Sequence, residues 1–354
     1  MGITAGHNID PEPVDDAPPI GDGGSLTIRG AANGQATELV ELSGKTVLST
    51  TSFGAGSADD INIDSDQLFL SDGAVFAADT FGTGSAGDIN LNLNQLTMQD
   101  GSRIGAATAG NGAGGNINIG TQASPLDLIE LSGYALSAPS VRSGIFTDSL
   151  GKNEDAGDIT IYTYDLNMNE RSVIRATARG TTEGGNINII LSSGGWLQMR
   201  NDGNPDFPTE IATSATENAR GGDINLTAPR REAVISAVLT ENSDIVADAD
   251  RGQGGVINEN VGPVIGFNDY NGFRTPESDF TAISARGIDG VVNATEDNPQ
   301  EPPPSQPDIP RVEQVCPLSQ AATSRDAERS TFTNIGHGGL PPNPNNTLSV
   351  PSIQ

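Results

Sequence analysis

Residues 84–93 read GSAGDINLNL, and close copies lie 28 residues away on each side: GSADDINIDS from Gly56 and GAGGNINIGT from Gly112. Each copy joins a glycine-rich stretch to a short run in which Ile or Leu alternates with Asn or another polar residue. Alternation with period two buries one face of a strand. Taking the residue just before each strand as reference, the pattern returns at Ser25, Asp60, Asp88, Asn116, Asp158, Asn186, Asp223 and Val256. The spacings are 35, 28, 28, 42, 28, 37 and 33, so every departure from 28 is an insertion. A period of this length marks stacked repeats, with insertions carried as loops.

One unit resolves into three strands. DINLNL buries Ile89, Leu91 and Leu93; NQLTM buries Leu96 and Met98; SRIGAAT buries Ile104 and Ala106. Asp100-Gly101, like Asp72-Gly73, reads as a tight turn, because Gly takes positive φ at no steric cost. Helical periodicity is absent. A sandwich has no reason to repeat like residues at like positions, whereas a parallel β-helix stacks each residue on its counterpart about 4.8 Å away. The expectation is an all-β chain: a parallel β-helix, or β-solenoid, of about eight three-strand coils forming a rod roughly 40 Å long. Ile61, Ile89, Ile117, Ile159, Ile187 and Ile224 form its inward column. Asn62, Asn90, Asn118, Asn188 and Asn225 form an outward amide ladder. Ala106, Ala176 and Ala212 are small inward residues suited to a narrow core. Phe53 and Phe81 occupy equivalent places and stack at one corner.

The organisation follows. Residues 1–20 form a flexible N-terminal segment, 21–292 the repeats, 293–310 a Pro-rich linker and 311–354 an irregular tail with Cys316 and GGLPPNP.

Composition narrows function. The 354 residues include 44 Gly, 22 Pro and one Cys, and the net charge is −28. Such a surface repels nucleic acid and anionic lipid. One Cys allows no internal disulfide; an unpaired Cys316 or the end strands are routes to self-association. His7 and His337 lie outside the repeats and Lys45 and Lys152 are the only lysines, so no histidine-based catalytic site or phosphate cradle emerges. No catalytic residue is assigned and no cofactor is required. Asp60, Asp88, Asp158 and Asp223 share one outward column, interrupted by Asn116 and Asn186. Asp60 and Asp88 are candidates for weak Ca²⁺ binding, since two carboxylates about 5 Å apart suit a hard cation. The Arg286-Gly-Ile-Asp289 run is not a known recognition tripeptide.

The repeat GSAGDINLNLNQLTMQDGSRIGAAT, the closing ISARGIDGVV (283–292), a Cys after a Pro-rich linker and GHGGLPPNP (336–344) together resemble the C-terminal part of filamentous haemagglutinin-like exoproteins of two-partner secretion, over roughly residues 21–345. The resemblance implies a right-handed β-helix, export through an outer-membrane β-barrel transporter, and an adhesin-like or filament role at the cell surface or outside the cell, with cell-surface or polysaccharide ligands. The family's signal peptide and N-terminal secretion domain have no counterpart here, so the resemblance implies a C-terminal piece, a split reading frame or a degenerate, non-functional copy. The alternative activity is a polysaccharide lyase or glycosidase, since β-helices also host such enzymes. The adhesive reading has the rod present loops, mainly the insertions 119–157 and 190–221, whereas an enzyme would have insertions that wall a cleft with an Arg or acid cluster at its floor.

Ile89→Asp places an unpaired charge on the inward column and should cost several kcal/mol, whereas Asn90→Asp faces water and should be far milder. Thermal unfolding followed by circular dichroism compares them; equal losses would reverse the inside-outside assignment.

Overall fold

The computed structural model describes residues 3–4, 21–30, 35–151, 154–180, 182–204, 206–268 and 273–294. These fall in a unit spanning 1–300; a second unit, 301–354, lies outside the described residues. So do His7, Lys152, Cys316, His337 and the GGLPPNP motif, most of the segment 1–20, and the linker and tail from residue 295 onward.

Regular structure among the described residues is almost entirely β, with two single 3-10 turns at Pro229–Arg231 and Leu239–Glu241. The pairings between strands are parallel, in a nine-stranded sheet, a fourteen-stranded sheet and a two-stranded sheet. The chain visits the two large sheets in turn. Ile89–Asn92 and Gln95–Met98 lie in the fourteen-stranded sheet, and Arg103–Gly105 in the nine-stranded one. In other units the first two segments run together as one long strand, as in Ile61–Leu70, Ile159–Asn169 and Ile187–Met199.

Register follows the repeat. Leu26 pairs with Ile61, Ile61 with Ile89, Ile89 with Ile117, Ile117 with Ile159, Ile159 with Ile187, Ile187 with Ile224 and Ile224 with Ile257. The seven isoleucines of this column are fully buried. Each such side chain contributes about 1.5–3 kcal/mol when removed from water. A unit taken alone has no second layer to cover its isoleucine, so this gain exists only in the stack. Leu68, Leu96, Ile129, Leu166, Leu197 and Ile235 make a second column, and Phe76, Ile104, Ile145, Ile174, Ile211 and Ile245 a third, all within one core. Insertions do not break the registers. The strands Leu126–Ser132 and Gly144–Phe146 persist inside 119–157, so most of the extra residues there lie in the turns at 120–125 and 133–143.

One inward assignment is corrected. Ala106 and Ala176 face the core, but Ala212 pairs with Arg175 and Val246 on the outer side of the nine-stranded sheet. The core position in that unit belongs to Thr213, whose hydroxyl donates to the Gly222 carbonyl at 2.6 Å. The extra hydrogen-bonding group is satisfied locally, so a polar residue sits inside without penalty.

The glycine-rich corner has a steric cause. Six glycines, Gly87, Gly115, Gly157, Gly185, Gly222 and Gly255, immediately precede reference positions, and Gly290 stands in the equivalent place before Val291, which pairs with Val256. A Cβ on any of them would lie under 3.0 Å from the backbone carbonyl one unit earlier, closer than real side chains approach. The N–H of Gly115 meanwhile donates to Ala106 at 3.0 Å, and that of Gly255 to Ala247 at 2.7 Å. The chain closes on itself here while stacking on the unit below, and neither contact leaves room for a side chain. The Asp-Gly turns are different. Asp72 and Gly73, and Asp100 and Gly101, all have positive φ, the geometry of a tight turn with two left-handed residues. Glu170 and Arg171 adopt the same turn without a glycine, at a conformational cost.

Gly185→Ala should therefore lower stability by about 1–3 kcal/mol or more, since the methyl meets backbone that cannot move independently. Gly105→Ala, whose new methyl would meet nothing nearer than Asp79 Oδ1 at 3.5 Å, should be near neutral. Urea unfolding midpoints of the two variants test the corner; similar shifts would remove the steric explanation.

Candidate functional site

Outward positions separate into columns with distinct chemistry. The reference column is a side-chain-to-backbone ladder. Asp60 Oδ1 accepts the N–H of Asp88 at 2.9 Å, and Asp88 Oδ1 accepts that of Asn116 at 2.7 Å. Asn116, Asp158, Asn186 and Asp223 continue the pattern up to the N–H of Val256. Asp and Asn are interchangeable because the position needs a short side chain with one acceptor oxygen. Asp60 and Asp88 thus each commit an oxygen to the backbone of the next unit. Among the described residues, no group of three or more His, Cys, Asp or Glu is placed to share a metal ion.

Two residues along, the amides stack. Asn90 Nδ2 donates to Asn62 Oδ1 at 3.0 Å, Asn118 to Asn90 at 3.0 Å, Asn225 to Asn188 at 2.9 Å, and Asn258 and Asn293 extend the series at 2.8 Å. Thr160 stands between Asn118 and Asn188 and splits the ladder. At its N-terminal end the ladder floors an open groove of about 320 Å³, with Arg29 and Thr121 among its lining.

The charged cluster lies on the outer face of the nine-stranded sheet, and sequence reasoning did not find it. Arg103 and Arg175 stand over the ring of Phe146, at 4.3 and 5.2 Å. Arg175 grips Asp148 through two nitrogens. Arg142 lies 3.6 Å from Glu210, and Arg274 reaches from the following segment to donate at 2.8 Å to both Glu210 and Asp244. These residues are far apart in sequence, and only the layer register unites them: Glu210 pairs with Val173 and Asp244, and Phe146 with Arg175. The one available signal was charge at outward strand positions, in Val173–Arg175 and Ser243–Val246, where a solvated strand face would look the same.

Burial governs the electrostatics. It pushes the Asp244 carboxyl up to about 6, outweighing the charge and hydrogen bond of Arg274. It also raises Asp79 and Asp248 above the usual carboxylate range. Burial lowers Arg103 and Arg142. It opposes the charges of Arg175 and Arg274 too, but neighbouring carboxylates more than offset it. A perturbed acid inside a cluster of arginines is what marks a functional site in many enzymes. Here the carboxylates of Asp148, Glu210 and Asp244 are all engaged by guanidinium groups.

The remaining sequence candidates are surface features. Phe53 and Phe81 stack with centroids 5.2 Å apart and planes 9° from parallel, and are 68% and 55% exposed. Arg286 pairs with Asp250 at 3.2 Å. No family model, curated protein or solved structure matches this chain.

Asp244 gives the cluster a pH signature. A carboxyl whose folded pKa is raised binds more protons in the native state, so its contribution to stability is greatest below about pH 4 and declines as pH rises to about 6. The decline attributable to Asp244 is up to about 3 kcal/mol. Asp79 and Asp248 act in the same direction. Asp202 and Glu241, held below their ordinary values by hydrogen bonds from Arg171 and Arg200, lose stability only at more acidic pH. Urea unfolding between pH 4 and 7 should show the decline, and Asp244→Asn should flatten it; an unchanged slope would dissociate it from Asp244.

Proposed function

We propose that the repeats form a right-handed parallel β-helix of about eight three-strand coils, and that this rod is a non-catalytic, adhesin-like module of a secreted two-partner-secretion exoprotein. The reading places the chain outside the cell or on the cell surface, exported by an outer-membrane β-barrel transporter. Membership of the haemagglutinin-like class rests on the sequence motifs alone. The observation that carries the functional reading is the use made of outward polar groups. Asn62, Asn90 and Asn118 bond to one another along the stack, and Asp60 and Asp88 bond to the next backbone. Polar chemistry spread evenly over successive units suits repeated weak contact with a surface or polymer, where linked sites add to avidity. Reaction chemistry needs an accessible acid and base together.

The second reading, a polysaccharide-active enzyme, is favoured by one feature: Asp244, with its raised pKa, shares Arg274 with Glu210 on an outer sheet face. Arg274 covers both carboxylates, which argues for a structural tie.

The test incubates the full chain with neutral and acidic polysaccharides and follows both retention and new reducing or unsaturated ends. Retention without cleavage is expected. With a net charge of −28, retention on acidic polymers should require Ca²⁺ and be reversed by a chelator. Time-dependent cleavage abolished by Asp244→Asn would replace the adhesin reading with the enzyme.

A further inference from the structure

The chain has a single tryptophan, and it sits on the outward face of the fourteen-stranded sheet. Trp196 is 47% exposed although it stands mid-strand, in Ile187–Met199. Two contacts fix it. Its backbone N–H donates to Asp165 Oδ1 in the preceding layer at 3.0 Å. Its indole N–H donates to Ser236 Oγ at 2.6 Å. Trp196 pairs with Val234 and Gln198 with Ser236, so the indole nitrogen is tied one layer up and two positions along. A ring anchored that way lies along the sheet and leaves a face, not its N–H, to solvent.

The backbone prepares this position. Thr163 pairs with Leu191 but Asp165 pairs with Trp196, so residues 192–195 bulge out of the strand just before the tryptophan. Such bulges re-aim a side chain and recur beside binding sites. The bulge is pinned by Gly194 N–H donating to the Glu232 carbonyl at 2.8 Å. Tyr164, 43% exposed, lies beside it: a Cβ on Gly194 would stand 3.2 Å from the tyrosine hydroxyl. Next to the indole runs an outward column of Asn167, Gln198 and Ser236 in successive layers.

We infer that Trp196, Tyr164, Asn167 and Gln198 form a binding platform for a neutral polysaccharide chain. The inference rests on the adhesive reading above and gives it a ligand class and a place. An exposed, immobilised indole face packs against the C–H face of a pyranose ring, a large apolar contact made without ordering a mobile side chain. An amide offers two donors and an acceptor oxygen, which matches paired hydroxyls. Layers about 4.8 Å apart present one such row per sugar to an extended chain lying along the stack. Charge selects the neutral class. Glu130, Asp165 and Glu232 surround the strip, and the nearby Arg200 is gripped by Glu241 through two bonds at 2.7 and 2.8 Å. An acidic polymer meets these carboxylates on the strip, with Arg230 and Arg231 set on the adjoining turn Pro229–Arg231.

The single tryptophan makes emission a reporter of this site alone. The full chain is titrated with cello-, xylo- and manno-oligosaccharides while emission is recorded, and co-sedimentation is measured with the corresponding insoluble polymers and with polygalacturonate. A saturable blue shift with at least one neutral oligosaccharide is expected. Trp196→Ala should lower retention on that polymer at least tenfold and Gln198→Ala several-fold, with unfolding midpoints unchanged; Trp196→Phe should restore part of the loss. Retention by Trp196→Ala equal to the unmodified chain would overturn the platform and leave the adhesive reading standing. An emission change with tetramethylammonium but none with sugars would overturn the ligand class. Absence of retention on every polymer would remove the adhesive reading, and this inference with it.

Discussion

Seven successive units turn one corner directly above a backbone carbonyl of the unit before, and only glycine leaves that approach open. The rest of the structure depends on this contact. It sets the distance between layers at the corner, and with it the register of the strands that follow. Once the corner is fixed, Ile89 must lie over Ile61 and Ile117 over Ile89, because the inward residue follows each of these glycines by two positions. The isoleucine column is then continuous and dry. The glycines themselves contribute little free energy. They remove the steric obstacle to burial that does.

Strict register imposes a problem on the outside. Identical residues meet at about 4.8 Å, so a column of aspartates would stack like charges. The molecule handles this in two ways. Asn shares the reference column with Asp, and each oxygen is turned to the backbone N–H above it. Four arginines, Arg103, Arg142, Arg175 and Arg274, gather on the outer face of the nine-stranded sheet, interleaved with Asp148, Glu210 and Asp244. A strongly acidic chain thereby keeps a mixed-charge, largely buried patch. Breaking one partner of such a patch leaves an unpaired buried charge, which is costly, although the intact pairs add little net stability. The patch is best understood as fixing which segment covers that face.

Function follows from where outward groups are committed and where they are not. The cluster around Arg274 is closed by its own pairing. An interior Asn of the amide ladder, such as Asn90, uses one donor and the acceptor oxygen within the ladder and keeps its second N–H outward. The strip around Trp196 combines an aromatic face with amides of this kind, on strands whose spacing the core holds rigid.

The repeat, the three strands per unit, the inward isoleucine column, the outward amide ladder and the Phe53–Phe81 stack were legible in the sequence. Each is a property of one unit copied in register, so a period of 28 and an alternation of two were enough to place it. What was not legible depends on contacts between units of unequal length. Ala212 was misplaced by one position because the spacing to its neighbours is 37 and 33 rather than 28. The reason for the corner glycines was hidden, since a close carbonyl one layer below leaves no mark in local sequence. Arg142, Arg175, Glu210, Asp244 and Arg274 come together from four units and a covering segment, and Trp196 owes its orientation to a serine 40 residues away. The sequence determined the stack because stacking repeats local pattern; the tertiary structure alone decided the sites, because a site is made where different units bring unlike residues to the same face.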